Sequence, residues 1–533
     1  MDHRSAIAGV AGVAALLISA GAGLADEGHA GHSKVGSVGF ANSCAPAVQA
    51  ELKQGVAMLH SFWYSAGEET FRAVLAKDPG CAIAHWGIAS LLMQNPLAGI
   101  GASPKGAEQA QAAIDQGRAA GARTQRERDY IEAVAAYFQD FAARPERDRQ
   151  ASRARAYEAL AARYPEDDEA QIFSALYIAG TQSQADQSYA AYARAARILD
   201  REAAKHPDHP GISHYLIHVY DAPPLAAQGL PAAQRYAGLA PDAPHALHMP
   251  SHIFTRVGAW TESAETNDRS FLSAVKGNEL PEAYHATDYM VYADLQLARD
   301  AAALAAMERA FAVKVPANAG PVVAYPVAAM PARYAVERGD WAAAAQLVPP
   351  PGGTPFTQAL SWYAKALGAA RSGQPAAAEQ AAAELATRQQ ALTAAGNAYW
   401  AREVEIQQRA ATAWIAFARR DTDAALRLMR DAADLEDQNE KHIVTPGRIL
   451  PARELLGDML LEAGQPAAAL REYEASQQRE PNRFRGYAGA AKAAAAAGEV
   501  EKAAGNYQRL LVLAEGADSP RPEIVQAKAF LAK

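Results

Sequence analysis

Along most of this chain apolar residues return every three or four positions, and no run of alternating β-branched and polar residues calls for a strand. The segment "LPARELLGDMLLEAGQPAAALREYEASQQREP", residues 450–481, holds two such helical patterns separated by Gly464, which ends the first. The pair reads as an antiparallel helical hairpin. Gly464, Ala469 and Tyr473 recur 34 residues later as Gly498, Ala503 and Tyr507. A lone hairpin leaves an apolar face that only the next one covers, so the units must stack. The expected class is all-α, a superhelical solenoid of antiparallel helical hairpins. Pro/Gly clusters at 95–106, 314–326 and 348–356 read as loops between hairpins. The "GIGASP" of the first has no preceding strand and is not a dinucleotide loop.

Composition adds three points. Much of the 50% hydrophobic content is alanine, which favours helix, and 533 residues suit a long array as well as several domains. A net charge of −8, from 51 basic and 59 acidic residues, argues against a nucleic-acid partner. The N-terminus has Arg4, an apolar run from Ala6 to Ala20 and small residues up to Ala25. That is the pattern of a signal peptide over 1–25, and its apolar run is too short for a membrane anchor. A periplasmic or secreted protein with no integral membrane segment is expected, its mature N-terminus disordered over 26–43. In an oxidising compartment Cys44, before one helical pattern, and Cys81, after the next, are expected to form a disulfide clamping the first hairpin.

The 34-residue unit at 450–481 places Leu456, Gly457, Leu460, Gly464, Ala469, Tyr473 and Pro481 where the tetratricopeptide repeat wants large, small, large, glycine, alanine, aromatic and proline. The chain resembles that family. The resemblance implies TPR-like hairpins in which the first helix of each unit lines a concave groove. The organisation read from it is an N-terminal array over 44–312, a loop-rich connection with a helical insert over 313–358, and a C-terminal array over 359–533.

The histidines follow the same interval. "SHYLIHVYD" carries His214 and His218, and "LHMPSHIFT" carries His248 and His252; each member of the first pair lies 34 residues before its counterpart. Anchoring one unit on Pro207 and the next on Gly258 puts both pairs at the fifth and ninth positions, with His245 at the second. If Ala298 takes the glycine position of the next unit, His285, Asp288 and Tyr292 occupy the second, fifth and ninth. Such positions share one helical face. Imidazoles at i, i+4 chelate well, and His214, His218, His248 and His252, with Asp288, form a candidate set for zinc, copper, iron or manganese. The same face also reads as groove lining that recognises a ligand through His214, His218, His245, His248, His252, His285, Asp288 and Tyr292. Pro250 threatens helix continuity and would leave His245 and His248 in an entry loop. His206 and His209 read as solvated, His60 and His85 as packing residues, His29 and His32 as tail residues, and Glu454 with Asp458 as an acidic stretch of groove.

Four phrases, "LHSFWYSAGEETFRAVLAKDPGCAIAHWGIA", "HPDHPGISHYLIHVYDAP", "APHALHMPSHIFTRVGAW" and "PGRILPARELLGDML", together resemble a family of exported bacterial tetratricopeptide-repeat proteins. The likeness spans most of the mature chain; it implies fold and export and supplies no catalytic residues. Two readings follow: a scaffold binding a protein or peptide in its groove, or a metal-binding protein or metal-dependent enzyme built on the histidine ladder.

Overall fold

The first hairpin, Gln49–His60 against Tyr64–Lys77, sets the theme of the molecule, a succession of antiparallel helices each packed on the next. The computed structural model describes residues 33–315 and 320–533, and Lys34–Lys533 form one unit. Every regular element among the described residues is helical, as the apolar spacing requires. None of these helices is long and apolar enough to cross a membrane. The expected signal peptide over 1–25, His29 and His32 lie outside the described residues.

The repeat's small and aromatic positions have one packing reason. A Cβ on Gly457 would stand 2.8 Å from the Tyr473 ring, and one on Gly489, in the next unit, 2.2 Å from it. The ring is therefore wedged between consecutive first helices, and only glycine on both sides admits it. Phe71 occupies the same wedge near the N-terminus: a Cβ on Gly55 would come within 2.9 Å of it and one on Gly87 within 2.4 Å. Ala298 adopts φ +54°, the left-handed cap that Gly258 and Gly464 supply at φ +72° and +73°. The register that assigned it the glycine position is thus the register of the fold, at a steric cost of about 1–2 kcal/mol for a residue with a Cβ.

Cys44 and Cys81 form the disulfide, with Cα atoms 4.8 Å apart. Cys44 precedes the turn Pro46–Val48 that opens the first hairpin, and Cys81 caps the helix Ala82–Leu92 that follows it.

Three expectations are corrected. Residues 34–43, expected to be disordered, form an extended strap: Val35, Val38 and Phe40 are buried, Phe40 stacking on Trp86 at 5.1 Å. Three apolar side chains in ten residues had a core to enter. The connection at 313–358 is no separate region, because the helix Pro321–Glu337 packs on both Leu280–Gln296 and Pro355–Arg371. Pro326 and Pro331 lie inside that helix, so the expected loop ends at Gly320. The most consequential loop lies elsewhere: residues 438–451, between Thr422–Asp437 and Ala452–Glu462, run without regular structure yet bury Lys441, Ile443 and Thr445.

Candidate metal centre

All eleven residues of the helix Pro210–Tyr220 are buried, so His214 and His218 enter the interior whichever way they point. The next first helix is split at Pro250 into Pro244–His248 and Pro250–Val257. The break costs a hydrogen bond and little direction, since Met249 between them keeps φ −51° and ψ −37°. His248 and His252 still share a face, and His245 and His248 sit on helix rather than in an entry loop. His285 stands near the start of Leu280–Gln296. Exposure is 0% for His214 and His248, 2% for His218 and His252, 8% for His285 and 13% for the His245 side chain.

The ladder divides into two trios. His214, His218 and His245 bring one ligand atom each within 4.8 Å of the others, and so do His248, His252 and His285. In repeat terms each trio takes the fifth and ninth positions of one unit and the second of the next. Sequence register identified these positions but not that the second position closes the preceding pair. Within each i, i+4 pair the Nε2 atoms lie 3.1 Å apart. Two nitrogens each about 2.0–2.1 Å from one tetrahedral ion stand about 3.3 Å apart, so the spacing is that of a chelate.

The other ring nitrogens decide the protonation. His214 donates its Nδ1 proton to the His60 carbonyl at 2.6 Å. Nδ1 of His248 faces Asn267 Oδ1 at 2.7 Å, the amide nitrogen of Asn267 being spent on the Ser263 carbonyl. Nδ1 of His252 donates to Asp221 Oδ2 at 2.9 Å, and His245 Nδ1 to both Glu282 oxygens at 3.2 Å. Each acceptor fixes a tautomer whose Nε2 keeps a bare lone pair, the arrangement that carboxylates and carbonyls impose on metal-binding imidazoles. For His248 and His252 two lone pairs then face each other, while Nε2 of His245 is buried without a protein partner. His218, whose Nδ1 is buried without a partner, has no acceptor that fixes its tautomer.

Burial depresses the basicity of His214, His218, His248, His252 and His285. It holds His214, His218 and His248 well below the ordinary histidine value, helped by neighbouring histidines, and lowers His285 to about 3. Burial also lowers His252, although Asp221 pulls the other way. Burial alone would raise Asp221 and Glu282; Lys441, Arg256 and His252 reverse this for Asp221, and His245 for Glu282, so both stay ionised.

The surroundings close the cluster. Phe62, at φ +51°, lays its ring 4.4 Å from that of His214 and 5.6 Å from that of His245. From the other side the 438–451 loop enters: Lys441 Nζ reaches Asp221 at 3.1 Å, and Tyr289, whose ring lies 5.0 Å from His252, donates to the Thr445 carbonyl at 2.9 Å. The histidine face is therefore an interior surface, not the open groove wall expected from the repeat. Asn267, Glu282, Asp221 and Phe62 escaped the sequence reading; the only signals were Asp221 directly after "HVY" and Glu282 three residues before His285.

Other expected residues go elsewhere. Asp288 does not join the histidines: its carboxylate lies 3.7 Å from Arg333, and both oxygens are buried without a hydrogen bond. The unit after Leu280–Gln296 offers no histidine to complete a third trio, which leaves Asp288 to an arginine. Tyr292 bonds Arg483 and, at 3.3 Å, Glu480. Glu454, expected to line an acidic groove, is 1% exposed and paired with Arg483 at 2.7 Å, and Asp458 pairs with Arg485. His209 is buried rather than solvated and shares Glu169 with His60 at 3.1 and 2.8 Å. Both His60 ring nitrogens are spent, on Tyr215 and Glu169, which holds the His60 carbonyl on His214, while Nδ1 of His209 is buried without a partner.

No family model and no curated protein matches the chain. Among solved structures it is similar to a tetratricopeptide repeat protein from Parabacteroides merdae, at 15% identity and a TM-score of 0.29, over 54% of this chain and 99% of that one.

Proposed function

We propose that this TPR-like protein binds transition-metal ions through its two buried histidine trios. The observation that carries the reading is the His248–His252 pair, whose Nδ1 atoms both donate to fixed acceptors while their Nε2 lone pairs face each other at 3.1 Å. A buried acceptor left unpaired costs about 1–3 kcal/mol, and several together weigh heavily against a total stability of about 5–15 kcal/mol. A proton between the two rings would relieve them, but burial lowers the basicity of both. A metal ion answers the geometry without that proton.

Three neutral imidazoles with no thiolate and no carboxylate suit zinc or copper better than manganese. The loss of Asp288 from the expected ligand set also weakens the case for iron. A protein or peptide partner in the groove, the other expectation, has less support, since residues 438–451 and Phe62 cover the face that would receive it. The Cys44–Cys81 bridge supports a periplasmic or secreted location, where such bridges persist.

The test is metal analysis of untagged mature protein beside two variants, His214→Ala/His218→Ala and His248→Ala/His252→Ala. Two tightly held ions are expected in the parent and one in each variant. A parent that takes up no ion after incubation with zinc, copper, iron and manganese salts would overturn the reading.

A further inference from the structure

We infer that the two trios form one dinuclear centre whose ions share a small oxygen anion such as hydroxide; this rests on the metal-binding reading above. The trios are not separated by protein. His245 and His248 belong to different trios yet stand one turn apart, with ring centroids 5.9 Å from each other. His218 of the first trio meets His252 of the second edge to face at 5.6 Å. Both separations lie within the range of aromatic rings in contact, so the six imidazoles make one continuous cluster.

Charge supplies the second argument. The ligands are all neutral, so two divalent ions would place four positive charges in the interior. Asp221 already faces Arg256 at 2.7 Å and Lys441 at 3.1 Å. That leaves Glu282, which accepts from Nδ1 of His245 at 3.2 Å, as the nearby anion with charge to spare. One carboxylate does not balance two dications, and burying unmatched charge is costly. An anion bound directly to the ions lowers that excess, and the Phe62 and Tyr289 rings packed beside His214 and His252 favour a small one. Two metal sites about 3.5–4 Å apart commonly clamp an oxygen in this way.

The experiment uses the full mature chain loaded with copper(II), freed of excess metal and kept oxidised. Bound copper is measured by elemental analysis, and unpaired spins are counted by electron paramagnetic resonance. Two copper ions per chain with most of the resonance lost through coupling is the expected result. The full copper(II) signal should return on acid denaturation. The His214→Ala/His218→Ala variant should hold one copper at full intensity. Two copper ions giving the full signal of independent centres would overturn the dinuclear inference and leave the metal-binding reading intact. No bound copper or zinc would remove both.

Discussion

At the scale of single residues the account turns on hydrogen-bond acceptors more than on the histidines themselves. A buried imidazole whose Nδ1 proton has a fixed destination cannot change tautomer, and its Nε2 is left as an acceptor, the state a metal ion requires. Asn267 has this part for His248. Replacing it, Asn267→Ala, should leave the fold intact and weaken the ion at the second trio by about 10–100-fold, the usual cost of losing such a partner. The ion at the first trio should keep its affinity. Competition with a chromophoric chelator reads both sites, and equal weakening of the two would point to a general loosening of the interior. The i, i+4 pairs were visible in the sequence because their spacing is local. Their acceptors were not, because Asn267, Asp221 and Glu282 come from three helical contexts at 19, 31 and 37 residues from the rings they serve.

At the scale of elements, the repeat pattern was legible wherever it encodes a steric requirement. Gly457 and Gly489 are small because Tyr473 lies between them, its hydroxyl held by Asp458 at 2.5 Å. The ring has no room to withdraw. Gly489→Ala should therefore cost about 1–3 kcal/mol through overpacking, seen as a lower urea midpoint with an unchanged slope. An unchanged midpoint would mean that the wedge is softer than its geometry. Register likewise placed Ala298 in a left-handed cap and both histidine pairs on their faces. It failed for Asp288, because equal positions in successive units meet different neighbours: the fifth position of one unit finds a histidine on the next helix, and that of the following unit finds Arg333. Pro250 misled in the other direction, since two short helices in line preserve the face that one long helix would have made.

At the scale of the molecule, an all-helical stack was readable from the spacing of apolar residues, and what covers its histidine face was not. A solenoid is built from nearest-neighbour contacts, which a repeat pattern records. The 438–451 loop, by contrast, makes contacts across more than 150 residues, such as Thr445 with Tyr289 and Lys441 with Asp221. That loop and Phe62 make an interior of a surface expected to bind partners. The most direct measurement is anomalous diffraction from crystals of the untagged mature protein grown without added metal, with data collected on both sides of the zinc and copper absorption edges. The account predicts two strong anomalous peaks, one within bonding distance of Nε2 of His214 and His218 and one within bonding distance of Nε2 of His248 and His252. An ordered cluster with imidazoles bonded only to one another or to water, and no anomalous peak even after soaking in both metals, would contradict it.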